Sequence, residues 1–304
     1  MSHGAEGSVR AILYALGANF GIAVAKFAAA AWTGSGSMLA EAIHSTADCV
    51  NQLLLLLGMR EARRPESVDH PLGHHRAAYF WSMVVALLLF FMGGAFSVYE
   101  GVERMRHPQP LQNGLIAMAV LGIAVILEAF SLAGALREIR KIARGRPFLR
   151  WFRESRQSEL MVVAGEDIAA LAGLVLAFAA VAATVLTGDP LWDALGTLAV
   201  GVVLMVIAVA IMIEVKSLIV GESADPEQRA AIETFIAAQP EVAQVFNVIT
   251  LAWGERIVIA VKARMADDET ISGAEMVRRI NAVEERIQAE FRSARWVFFE
   301  PDVK

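Results

Sequence analysis

The chain has 304 residues, of which 56% are hydrophobic and 19% charged, with a formal net charge of −5 and a mean hydropathy of +0.51. Soluble domains run nearer 45–50% apolar, so the excess points to a membrane, and the acidic balance makes nucleic acid an unexpected partner. A lone cysteine, Cys49, excludes an intramolecular disulfide framework and a four-cysteine zinc site, and reads as a small apolar residue.

The polar start MSHGAEGSVR shows no cleavable signal, and the first apolar run, residues 9–32, is long enough to span a bilayer and is broken by Asn19 and Lys26. GSGS at 34–37 predicts a tight turn. The second span, LAEAIHSTADCVNQLLLLLG at 39–58, carries Glu41, His44 and Asp48 among leucines and alanines. The polar stretch 60–76, REARRPESVDHPLGHHR, predicts a loop. Further spans follow at about 78–99, 112–135 (with Glu128), 159–186 and 191–215, the last two joined by the turn signal TGDP. Six such segments are hard to explain without a bilayer. Arg60, Arg63, Arg64 and Arg76 follow the second span and a basic run from Arg137 to Arg156 follows the fourth; the loops after the odd-numbered spans carry Arg104 and Arg106. The positive-inside rule then puts both termini in the cytoplasm. Short loops and an alanine-rich design suggest a bacterial inner (plasma) membrane.

After residue 220 the composition becomes that of a soluble domain. DPEQRAAIETFIAAQ (225–239) predicts a helix opened by Pro226. VAQVFNVITL (242–251) and RIVIAVKARM (256–265) predict strands, with Ile257, Ile259, Val261 and Ala263 on one face. Ser272 and Glu275 form a possible capping box before a helix with Met276, Ile280, Val283, Ile287 and Phe291 on one side, and RWVFFE (295–300) predicts a last strand. The expected fold is therefore an all-α six-helix transmembrane domain over residues 1–220, then a small cytoplasmic α+β domain, αββαβ and ferredoxin-like, over 221–304.

His44 and Asp48 are four residues apart and share a helix face, with Glu41 one turn before. A charged group at the bilayer centre costs about 2.5–3.5 kcal/mol by insertion scales. Glu166 and Asp167 in the fifth span add two more carboxylates, while Lys26 alone lies at comparable depth, so pairing would leave at least two acids uncompensated. His44, Asp48, Glu166 and Asp167 could supply nitrogen and oxygen ligands to one divalent cation. Adjacent residues diverge by about 100°, so Asp167 is the stronger ligand, and Glu166 either ligates through its longer arm or orients another ligand. Glu41 and Asn51 are supporting candidates on the His44 face. Glu128 is either a proton or pathway group or a structural acid. Asp69, His70 and His74 could form a secondary metal site, although Pro71 and Gly73 between the histidines favour a turn over a helix; His75 and Glu66 lie beside them.

The chain resembles the cation diffusion facilitator family of zinc-type transporters. The likeness rests on HSTAD at 44–48 followed by Asn51 and Gln52, on DHPLGHHRAAYFW at 69–81, on YEGVERMRHP at 99–108 and on EPDV at 300–303. It implies a homodimeric antiporter exchanging Zn²⁺ or a similar ion for H⁺, with two ligands each from the second and fifth spans, no enzyme activity and no cofactor beyond the transported ion. His44, Asp48 and Asp167 fall on the family's ligand positions. The remaining one falls on Val163, and the Glu166–Asp167 pair resembles a subgroup that includes a mitochondrial-type branch. One histidine with three carboxylates is a harder ligand set than two of each, which brings Mn²⁺, Fe²⁺ and Co²⁺ into play. The family often places regulatory ligands on C-terminal histidines; none follows His107 here, and Glu300 and Asp302 are the acids at that place. Two rival classes are a metal-dependent intramembrane hydrolase, which lacks an HExxH pair or a serine–histidine arrangement, and a membrane-anchored metal sensor, which the histidine-free C-terminal domain disfavours.

Overall fold

The computed structural model describes residues 3–33, 36–108, 114–143, 145–266 and 271–303, and for helix residues 3–8, 11, 26, 29–30, 32–33 and 36–44 the backbone only. The side chains of Lys26, Glu41 and His44, and the start of the GSGS turn, therefore lie outside the described residues.

The helical region comprises α1 (His3–Thr33), α2 (Gly36–Ala62), α3 (Ala77–Leu88), a π-helical segment (Leu89–Ala95), α4 (Phe96–Arg106), α5 (Gly114–Ile142), the short α6 (Phe148–Glu154), α7 (Ser158–Thr187) and α8 (Leu191–Val220). The stretch from α3 to α4 is one continuous rod. Among the described residues four helices are long and apolar enough to cross a membrane: Ala77–Arg106, Gly114–Ile142, Ser158–Thr187 and Leu191–Val220. In α1 the described side chains give an apolar helical stretch at Ile12–Ala25. In α2 the polar face that carries Asp48, Asn51 and Gln52 dilutes the hydropathy of an otherwise leucine-rich helix.

The helices outrun the apolar stretches that predict them. The fourth expected span ends near residue 135, yet α5 continues to Ile142, where Lys141 pairs with the buried Glu138 at 2.7 Å. Helical hydrogen bonding does not stop where hydrophobicity does. The TGDP signal does end α7: Gly188 takes the left-handed conformation (φ 72°) that glycine tolerates, and Asp189 accepts a bond from the Leu191 N–H as α8 begins.

The bundle packs through small residues. A Cβ on Gly201 of α8 would lie 2.6 Å from the Val98 nitrogen and 2.8 Å from the Gly94 oxygen, so the rod and α8 cross with backbones in contact. Leu55, Val85, Val163, Ala208 and Ile211 fill the interior, while Phe20, Phe91, Phe130 and Val206 face outward. Apolar side chains on the outside are what a lipid-facing surface requires.

The C-terminal part has α9 (Pro226–Ala237), β1 (Val242–Trp253), β2 (Arg256–Met265), α10 (Gly273–Glu290) and β3 (Ala294–Pro301). Asp225 caps α9 by accepting from the Glu227 N–H, with Pro226 in the first turn. The sheet order is β1-β2-β3. The β1–β2 pair is antiparallel, and β2–β3 is parallel, with α10 supplying the crossover that parallel pairing needs. Ile257, Ile259, Val261 and Ala263 are buried against Ile232 and Ile236 of α9 and Val283 and Ile287 of α10. Each fully buried Ile contributes roughly 1.5–3 kcal/mol. Ser272 caps α10 as its spacing predicts, but the Glu275 carboxylate is held by Arg278 and Arg279.

The two parts meet through the 60–76 loop. The Tyr79 hydroxyl, at the start of α3, accepts from the Gly254 N–H at 3.0 Å and donates to its carbonyl at 3.4 Å. Gly254 opens the β1–β2 turn at φ 63°, and a Cβ there would lie 2.5 Å from the His75 oxygen. The Arg76 guanidinium sits 4.1 Å over the Trp253 ring. Arg156 pairs with Glu222 at 2.6 Å, Arg146 bridges Glu154 and Asp225, and Arg295 reaches Glu66.

Candidate metal centre

Four helices bring polar side chains into the middle of the bundle. On α7, Glu166 is 4% exposed and Asp167 1%. Asn51 Nδ2 donates to one Glu166 oxygen and Gln52 Nε2 to the other, both at 2.8 Å. Asn19 on α1 donates to the Gln52 carbonyl oxygen at 3.2 Å. Asp167 turns the other way and accepts from Ser131 of α5 at 3.0 Å. The roughly 100° between neighbouring helix positions thus sends the two carboxylates to different partners, one to α2 and one to α5. Each bond to a charged group contributes about 1.5–3 kcal/mol against a desolvation cost of several kcal/mol per ion.

Asp48 is half-buried on α2 one turn before Asn51, and its charge acts on both Glu166 and Asp167. Glu128, 3% exposed on α5 one turn before Ser131, acts on Glu166. The charges of Asp48 and Glu128 thus reach Glu166, which Asn51 contacts directly, while the side chains of His44 and Glu41 lie outside the described residues. Among the described residues no three His, Cys, Asp or Glu side chains converge closely enough to hold an ion. Val163 is fully buried in the core, and Cys49 is a free buried thiol.

In the 60–76 loop the His70 and His74 rings lie 4.2 Å apart at 32°, and His74 Nδ1 is buried without a hydrogen-bond partner. Ser67 and His70 close a turn on each other, in keeping with the Pro71 and Gly73 signals. Glu66 turns to Arg295 of the C-terminal domain. His75 packs edge-on toward Trp296, and burial first, then the Arg256 charge, lowers its pKa from the ordinary 6.5. Asp302 and Glu300 are turned onto Lys262, at 2.5 and 3.9 Å.

Besides Asn51, three residues of this network carry no acid or histidine signal: Gln52, Asn19 and Ser131. A carboxamide in an apolar span is itself a signal, because it must find a partner there. Asn19 stands out on that ground as the break in the first span. Ser131 does not, since a serine can bond to its own helix.

A bundle of apolar helices with acids at its centre is the ground plan of a membrane transporter. The sequence profile described as the cation efflux transmembrane domain matches residues 12–220, and the chain belongs to this family, the cation diffusion facilitators, which are transporters and not enzymes. It is 36% identical over 225 residues to the protein named proton-coupled zinc antiporter SLC30A9, mitochondrial, of Xenopus laevis, covering 73% of this chain and 40% of that one. It is 30% identical over 232 residues to metal tolerance protein C4 of Arabidopsis thaliana (75% and 50% covered). It is 30% identical over 128 residues to zinc transporter ZitB of Escherichia coli K12 (42% and 41% covered). The chain thus spans 40% of the length of the first of these relatives and half of the second.

Proposed function

We propose that the protein is a secondary transporter that moves a divalent metal cation, with Zn²⁺ favoured, out of the cytoplasm in exchange for H⁺. The observation that carries this reading is the pair of buried carboxylates inside the bundle, Glu166 accepting from Asn51 and Gln52 and Asp167 from Ser131, with the charges of Asp48 and Glu128 acting on Glu166. Such a pair is stabilised alternately by a doubly charged ion and by protons. His44, Asp48, Asp167 and Glu166 are the proposed ligands, with Asp167 the stronger of the two on α7. Metal and protons compete for them because ligands must be deprotonated to bind. Glu166, with both oxygens accepting carboxamide bonds, holds α2 against α7 beside the ion, and Glu41 and Asn51 support the same face; Glu128 is a proton or pathway group. The names of the relatives support zinc and proton coupling. Val163 at the remaining ligand position favours the second reading, in which Mn²⁺, Fe²⁺ or Co²⁺ is the main cargo.

The proposal extends to a six-span domain over 1–220 and a ferredoxin-like αββαβ domain over 221–304. Both termini are cytoplasmic, two copies form a homodimer, and the location is a bacterial inner membrane. Asp69, His70 and His74 are a secondary metal site in this reading. The test is uptake into proteoliposomes carrying an interior pH dye, across Zn²⁺, Mn²⁺, Fe²⁺ and Co²⁺. Metal flux with an opposing proton flux, lost in Asp48→Ala and Asp167→Ala, is expected. Metal flux without proton movement removes the antiport, and undiminished flux in both variants removes the site.

A further inference from the structure

Between the helical bundle and the C-terminal domain lies a cavity of about 760 Å³, lined by residues of both. Its wall on α7 is Glu159, 6% exposed. No part of the transport reading uses this acid. Seven residues separate Glu159 from Glu166, which is two turns of helix: the two lie within about 20° of one another around the axis and about 10 Å apart along it. Buried Val162 and Val163 fill the turn between. Glu159 is also tied to α3. Ser158 donates to its Oε2 at 3.4 Å, Ser82 donates to Ser158 at 2.9 Å, and its charge acts on Tyr79.

The cavity wall bears cations as well, and their placement matters. Arg146 is met by Glu154 and Asp225, Arg156 by Glu222, and Lys141 by Glu138. The charges of these three are thus taken up at the wall by carboxylates, while Arg63 and Arg256 also line it, Arg256 donating to the Arg292 carbonyl. Among the described residues lining the cavity, Glu159 is the acid that stands on a bundle helix beneath the buried pair.

We infer that Glu159 is the carboxylate through which the transported cation passes from the interdomain cavity to the Glu166–Asp167 pair. The inference rests on the transport reading above. A cation leaving water in the cavity faces the apolar Val162–Val163 turn, and an acid at its foot lowers the cost of that first desolvation. Glu159 then governs how fast the ion arrives and not how tightly the central site holds it.

The experiment compares initial Zn²⁺ uptake at sub-saturating concentration, into proteoliposomes loaded with a zinc indicator, with equilibrium Zn²⁺ affinity of the full chain in detergent. For Glu159→Gln a fall in uptake of at least fivefold with affinity changed less than twofold is expected, and Glu159→Asp recovers most of the rate. Uptake within twofold of wild type, or a fall matched by equal loss of affinity, overturns the inference. Ala231→Lys, on the exposed C-terminal wall of the cavity, tests the route without touching Glu159, even if Glu159→Gln fails to fold. It is expected to slow uptake at low salt and to recover at high salt; an unchanged rate at low salt overturns the cavity as the entrance. A wild type that takes up no Zn²⁺, Mn²⁺ or Co²⁺ removes the transport reading itself, a result distinct from an inert Glu159→Gln.

Discussion

Gln52 shows how one side chain holds three helices. Its amide nitrogen serves Glu166 on α7 and its carbonyl oxygen receives Asn19 from α1. In a dry interior each of these groups is costly to leave unmade. Replacement by leucine, similar in bulk, strands both partners at once. Gln52→Leu is expected to lower stability by about 1–3 kcal/mol, read as a fall in the thermal midpoint of the full chain in detergent. An unchanged midpoint would show that Asn51 alone suffices for Glu166. Glu166 itself illustrates why adjacency in sequence misleads. It neighbours Asp167 along the chain, but the helix sends the two to different partners, Glu166 to Asn51 and Gln52 and Asp167 to Ser131.

At the level of elements the most consequential contact is the β1–β2 turn seated on the 60–76 loop. Its tip must be glycine for two reasons: φ is positive, and the His75 carbonyl leaves no room for a Cβ. The turn needs a left-handed residue after Trp253 to match strand twist, and the loop uses that bare backbone as a docking point for Tyr79. Gly254→Ala is expected to cost at least about 1–2 kcal/mol from the left-handed conformation and to open the junction. Limited proteolysis within residues 63–76 should then speed up severalfold while the isolated strengths of the bundle and sheet cores are unaltered. Equal proteolysis rates would show that the contact is incidental.

On the scale of the whole molecule, the junction between the two parts is electrostatic and therefore pH-dependent. Glu154 receives hydrogen bonds from Arg150 at 2.9 Å and Arg146 at 3.3 Å, and Arg146 continues to Asp225. The bond from Arg150 first, then that from Arg146, holds the Glu154 carboxyl below its ordinary 4.5. With the folded value depressed, the unfolded chain takes up the proton first as pH falls. The contribution is therefore complete above about pH 4.5 and is lost as pH drops through the folded value. Glu154→Gln is expected to lower the thermal midpoint near neutrality and to flatten its decline below pH 4.5. A variant whose midpoint tracks the wild type in parallel down to pH 3 would place the acid sensitivity elsewhere.

Much of this protein is a one-dimensional property. Helix existence follows from long apolar runs, because a backbone in lipid has no other partner for its polar groups. The strands follow from alternation, and the caps at Asp225, Ser272 and Gly188 follow from local chemistry within four residues. His44, Asp48, Glu166 and Asp167 stand out because charge in oil is expensive wherever it falls. What a sequence does not carry is the rotation of one helix against the next. Only packing decided that Glu166 meets Asn51 and Gln52, 115 and 114 residues away, and that Tyr79 meets Gly254 across 175. The same holds for the cavity that Glu159 lines. Its walls come from segments with no local relation, brought together by burial of apolar surface that is indifferent to order along the chain.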